Sequence, residues 1–158
     1  MNTDLDLVAS CDLAPLAAAL KSQGVFALHV TQHKKGRCYG TFEVDGTSYD
    51  YRYLSDPDKT ISAMLDAIES LGKKDRAVWK VCSLREFNIG YECGDEPWAF
   101  NDVLTNETLL RMAKLGASLR ITLYPPRTLP KRNVGRRENA TNKKQKGRAM
   151  IQRRTASS

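Results

Sequence analysis

The chain has 158 residues, a length that suits one domain and an appendage, and its net charge of +7 averages two unlike parts. Residues 1–124 carry 14 Lys and Arg against 17 Asp and Glu, a net −3, whereas residues 125–158 carry 11 against 1, a net +10. From the acidic start MNTDLD no basic-then-apolar secretion signal is expected, no apolar run approaches the ~20 residues that span a bilayer, and four cysteines without a CxxC pair suggest neither a zinc knuckle nor a dense disulfide framework. The expectation is a cytoplasmic chain with no membrane segment, no cofactor and four buried or inert thiols.

In chain order, Leu5 to Ala9 reads as a short strand. Asp12 is placed to cap a helix with Pro15 in its first turn, Leu13, Leu16, Ala17 and Leu20 as its apolar stripe, and Gly24 as its stop. Val25 to Thr31 predicts a strand with Phe26, Leu28 and Val30 on one face and His29 on the other. His33-Lys34-Lys35-Gly36 is a polar connection, and Arg37 to Val44 returns as a strand. Asp45-Gly46 carries the signal of a type I′ turn. Thr47 to Leu54 then predicts a third hairpin strand, with Tyr49, Tyr51 and Tyr53 laddered on one face.

Asp56-Pro57 opens a second helix with the stripe Ile61, Met64, Leu65 and Ile68, stopped by Gly72. Ala77 to Cys93 reads as extended, in one strand bulged at Glu86 or in two. Gly94 to Phe100 is a loop with two large aromatics, Trp98 and Phe100, placed to plug the core. The clearest unit is Asn106 to Tyr124. Leu109, Met112 and Ala113 recur at helical spacing, Gly116 suits a left-handed C′ position, and Leu119, Ile121 and Leu123 alternate with polar residues as in a half-buried strand. Pro125 and Pro126 end it.

Strands and helices that do not strictly alternate predict an α+β fold. The expected form is a mainly antiparallel sheet with two or three helices on one face, a ferredoxin-like variant, followed by a basic C-terminal tail. The domain is expected to span 1–124. The tail, 125–158, has too few apolar residues to bury a core and is expected to be disordered in isolation.

Chemistry is sparse. His29, His33 and Cys38 lie in a strand running into a turn, where the imidazoles diverge, so no metal site is expected. Glu92, Asp95, Glu96 and Asp102 cluster around Trp98 without a nucleophile or histidine beside them, and read as a solvated acidic surface suited to a basic partner. No phosphate-loop, dinucleotide, nucleophile-elbow or zinc-protease motif occurs, so no catalytic residue is assigned. The acidic neighbours of the tyrosine ladder, Asp45, Asp50, Asp56 and Asp58, would repel phosphate. The candidate partner-binding residues are therefore Tyr49, Tyr51, Tyr53, Asp95, Glu96 and Trp98, facing a protein. The tail supplies the candidates for an alternative, nucleic-acid binding through counterion release: Lys131, Arg132, Arg136, Arg137, Lys143, Lys144, Lys146, Arg148, Arg153 and Arg154.

The run LLRMAKLGASLRITLY, Leu109 to Tyr124, resembles the closing motif of a bacterial domain-of-unknown-function family, a helix ending in "rLaelgasL" followed by a strand closing on "I-x-x-Y". Asn88-Ile89-Gly90-Tyr91 is similar to the "iGf" strand that precedes the last helix there. The family's tryptophan strand is matched only if Trp79 serves. Small families of this kind often act as immunity or inhibitor proteins in bacterial toxin systems. The resemblance thus implies a non-enzymatic, toxin-neutralising protein and assigns no catalytic residue.

Overall fold

The computed structural model describes residues 1–32, 36–47, 49–94 and 101–126. Contacts divide the chain into Met1–Pro126 and Arg127–Ser158. The second unit, with every basic candidate of the tail, lies outside the described residues, as do Asp95, Glu96 and Trp98.

The first unit runs β1 (Asn2–Ala9), α1 (Ala14–Lys21), β2 (Val25–Gln32), β3 (Cys38–Val44), α2 (Tyr51–Leu54), α3 (Pro57–Glu69), α4 (Lys73–Val81), β4 (Leu84–Glu92), α5 (Asn106–Leu115) and β5 (Ser118–Tyr124). The strands form one five-stranded sheet in the order β2-β3-β1-β4-β5. β1 is antiparallel to β3 and β4, β2 is antiparallel to β3, and β4 and β5 are parallel. The fold is α+β with a mixed, mostly antiparallel sheet.

Alternation along the strands decides which face is buried. Leu5, Leu7 and Ala9 of β1, Phe42 and Val44 of β3, and Phe87 and Ile89 of β4 are buried in a single cluster. Leu16 and Leu20 of α1, Ile61, Met64, Leu65 and Ile68 of α3, Trp79 of α4 and Met112 of α5 complete it. Each large side chain taken fully out of water contributes about 1.5–3 kcal/mol, so this cluster is the main source of stability. Local chemistry agrees at the helix ends. Asp56 accepts from Lys59 N ahead of α3, and Thr105 accepts from Thr108 N ahead of α5. Gly116, at φ 66°, closes α5 in the left-handed conformation expected of it.

Several expectations are corrected. The third hairpin strand with its tyrosine ladder does not form; Tyr51–Leu54 is helix α2. β3 is already paired on both edges, by β2 and β1, so a returning strand would find no partner. Asp45 instead accepts from Thr47 N and Oγ1, and Gly46 does not take positive φ, so the turn is not type I′. Asp50 then accepts from Tyr53 N and starts the short helix. The extended reading of Ala77 to Cys93 fails in its first half, which belongs to α4. Trp79 and Cys82, three residues apart, both turn into the core, and that packing overrides the strand preference of an AVWKV run. From Leu84 the chain is one strand, β4, in continuous register with β1 from Leu84 to Gly90, without a bulge at Glu86.

β1 begins earlier than expected, at Asn2. Asp12 does not sit at the cap position, which is Leu13, but its Oδ1 accepts from Ala14 N at 2.9 Å and so still satisfies the first turn. In β2 the register shifts between Ala27 and His29. Leu28 is the extra residue of that bulge and is half exposed, and Phe26 shares a face with His29 rather than with Val30. In α5 the buried residues are Thr108 and Met112, whereas Leu109 is exposed. β5 is an edge strand, and its alternating apolar residues are exposed rather than half-buried.

Candidate interaction surface

The side chains opposite the core give the sheet a polar second face. Register aligns them in rows. Asp6 of β1 lies beside Thr41 of β3, which pairs with His29 of β2; on its other side come Glu86 of β4 and Ser118 of β5. One row along, Asp4 is flanked by Asn88, which pairs with Arg120, and on the β3 side by Glu43, which pairs with Phe26. Four carboxylates, Asp4, Asp6, Glu43 and Glu86, therefore occupy three neighbouring strands.

Arg120 is the cation built into this surface. Its Nη2 donates to Asp6 Oδ2 and its Nε to Glu86 Oε1 at 3.0 Å. Thr41 Oγ1 donates to Asp6 Oδ1 at 2.7 Å, and His29 Nε2 lies 3.4 Å from the same hydroxyl. Thr122 Oγ1 donates to Asn88 Oδ1 at 2.7 Å. Asp6 is thus well compensated, whereas Asp4 is not. Asn2 Nδ2 donates to its Oδ2 at 2.7 Å, and the residue is 9 % exposed. Burial, then the charges of Asp6 and Glu43, push the Asp4 carboxyl up to about 6, with Asn2 and Arg120 pulling the other way. Burial also raises Glu43. The surface holds more negative charge than its own cation neutralises.

A cleft of about 270 Å³ opens at one end of this face, lined by Asn2, Thr3, Glu43, Tyr51, Leu54 and Ser55 among others. Tyr51 is 83 % exposed at its rim. The other two tyrosines of the expected ladder stack on each other, ring centroids 4.3 Å apart, and Tyr53 Oη donates to Lys59 O. They fasten α2 to α3, and only Tyr51 of the three is presented outward. At the end of β4, Tyr91 Oη donates to Asp102 Oδ2 at 2.7 Å; burial, and then this bond and the charge of Asp102, raise the phenol above its ordinary range.

A second cleft, also about 270 Å³, is lined by Arg76, Lys80, Arg85, Lys114, Trp79 and Glu69 among others. Its two arginines are engaged structurally. Arg85 donates to the carbonyls of Trp79, Lys80 and Gly116, at the C-terminal ends of α4 and α5, and Arg76 donates to Glu69 O. Cations belong at helix C-termini, where the free carbonyls concentrate negative charge.

Cys38 and Cys82 are buried and Cys11 and Cys93 half-buried, all as free thiols. Burial, with Cys11 nearby, pushes the Cys82 thiol up to about 11, so it is not a nucleophile at neutral pH. Among the described residues, no three His, Cys, Asp or Glu side chains are grouped to hold a metal ion, and no helix is long and apolar enough to cross a membrane.

Asp4, Asp6, Glu43, Glu86 and Arg120 were not singled out from the sequence. The signal was present as the polar half of each alternation: TDLDL, GTFEV, REFNI and SLRIT all place charge or hydroxyl opposite the core residues. Comparison with known protein families, with curated proteins and with solved structures finds no match to this chain.

Proposed function

We propose that this chain is a non-enzymatic interaction protein of the bacterial cytoplasm that binds a basic partner protein through the polar face of its sheet. One observation carries the reading: a surface where, among the described residues, Asp4, Asp6, Glu43 and Glu86 are opposed by the guanidinium of Arg120, with burial and repulsion at Asp4 only partly offset. A cationic partner would relieve both, and complementary charge also speeds and orients association. Tyr51, which lines the same cleft as Glu43, adds an aromatic contact, and Asp95, Glu96 and Trp98 remain partner-binding candidates on their sequence alone. Neutralising a toxin is the sharpest form of the role, supported by the resemblance of Leu109 to Tyr124. The order of the first four strands, β2-β3-β1-β4 with α1 and α3 between them in sequence, supports a ferredoxin-like variant extended by α5 and β5.

The test is co-purification from cells expressing the native gene, with wild type against Glu43→Lys. A basic protein held by wild type and lost from the variant, at unchanged melting temperature, is the expected result. Equal capture by both removes the reading.

The runner-up is nucleic-acid binding through the tail, favoured by its net +10. Truncation after Pro126, with DNA or RNA retention followed as salt rises, decides it. Unchanged retention eliminates the tail as the binding element.

A further inference from the structure

β5 is an edge strand of unusual composition. Its register with β4 places Leu119 beside Phe87, Ile121 beside Ile89 and Leu123 beside Tyr91, on the face that elsewhere is core. Yet Leu119 is 37 %, Ile121 60 % and Leu123 65 % exposed. Leu109 and Leu110 of α5, the helix that leads into this strand, are exposed as well. The opposite edge of the sheet, β2, is interrupted by the bulge at Leu28, a device that discourages strand addition. β5 has no bulge, and no proline until Pro125 ends it.

The backbone of β5 is also poised for a partner. Tyr124 O accepts from Cys93 N at 2.8 Å, so Tyr124 turns its polar groups toward β4. Successive residues of a strand turn them to opposite sides, so Leu119, Ile121 and Leu123 direct theirs to the outer edge, where no described strand lies.

The geometry points to a second copy of this chain as the occupant, two β5 strands pairing antiparallel about a two-fold axis through Ile121. The sequence SLRITLY is self-complementary in that register. Ile121 meets the partner's Ile121, and Leu119 meets the partner's Leu123. These are the outward-directed residues, so each such pair exchanges both backbone hydrogen bonds. On the polar face Arg120 meets the partner's Thr122 and Ser118 the partner's Tyr124, so no like charges are opposed. A two-fold contact of one patch with itself closes at the dimer, which distinguishes it from open-ended strand addition. Both polar faces stay uncovered, so the inference does not depend on the function proposed above.

Light scattering on the full chain after size exclusion tests it. Wild type is expected at twice the chain mass of 17.7 kDa. Ile121→Lys and Ile121→Glu are each expected at the single mass, because each opposes like charges at the axis, and an equimolar mixture of the two is expected to return to the double mass. A second set uses exposed positions off the axis. Leu119→Lys with Leu123→Glu in one chain keeps the dimer, since opposite charges then face each other, whereas Leu119→Lys with Leu123→Lys loses it. Circular dichroism confirms that each variant is folded. A monomeric wild type at its highest soluble concentration, a folded Ile121→Lys that remains dimeric, or a mixture that fails to re-associate overturns the inference.

Discussion

Asp4→Asn is expected to stabilise this protein at neutral pH, although it removes a charge from a polar surface. The Asp4 carboxyl sits at about 6 in the folded chain against an ordinary 3.8, chiefly because the residue is buried and then because Asp6 and Glu43 are close. A carboxyl raised in this way binds its proton more tightly when folded. Its favourable contribution is fully present below pH 3.8 and is lost as pH rises through 6. The gap between the two values corresponds to about 3 kcal/mol at pH 7. Asparagine keeps an acceptor for Asn2 Nδ2, which now donates to Asp4 Oδ2 at 2.7 Å, but its own amide hydrogens need acceptors among Glu43 and Asn88. The expected gain at pH 7 is therefore about 2–3 kcal/mol, falling to about 0.5 kcal/mol at pH 4, where most of the wild-type carboxyl is already protonated. Urea denaturation of both proteins at pH 4 and pH 7 measures it. An equal gain at the two pH values, or no gain at pH 7, would refute the account of Asp4 as a buried and repelled carboxylate. The same linkage predicts that affinity for a basic partner weakens as pH falls below 6, since protonation removes one of the charges the partner would meet.

Three further perturbations test the scaffold. Met64→Asp places an unpaired carboxyl at a fully buried position of α3 and should cost several kcal/mol, up to about 5, by chemical denaturation. Arg111 of α5 donates to Glu69, Asp66 and Ser62 of α3; Arg111→Met keeps the stem but leaves two exposed carboxylates without their cation, and should cost about 1 kcal/mol, an effect that shrinks in high salt. Trp79→Phe retains a large ring but removes the Nε1–H that donates to Leu115 O at 3.1 Å, and should cost about 1–3 kcal/mol in a thermal melt.

Where neighbouring residues settle structure, the sequence was readable. α3 is decided by its cap, its proline and a buried stripe that repeats at helical spacing. Gly116 is decided by the backbone conformation it must take. What could not be read locally was pairing. Thr47 to Leu54 has every property of a strand except a free edge to join, and that edge was taken by β1, a segment 37 residues away in sequence at the Leu5–Phe42 contact. The AVWKV run became helix because Trp79 had a core to enter, which no window of sequence displays. The polar face suffered from the opposite problem. Each of its residues looked like an ordinary solvent-facing position, and only register shows that Asp4, Asp6, Glu43 and Glu86 stand together. The expected tyrosine surface contracted to Tyr51 for the same reason that the third strand did not form.

Arg85 and Trp79 have a consequence for how the molecule opens. Among the described strands β5 is laddered only to β4 and, as an edge strand, would ordinarily be the first part to fray. Its connecting turn is gripped instead by Trp79 of α4, which donates to Leu115 O, and by Arg85 of β4, which donates both to Gly116 O and to the carbonyls that end α4. Releasing β5 therefore strips the Trp79 indole N–H of its acceptor and Arg85 of one of its three, which couples the last strand to α4. Amide hydrogens on the β4-facing side of β5 should then exchange with nearly the same opening free energy as those of α4, and the late segment behaves as part of one cooperative unit rather than as an annex to it.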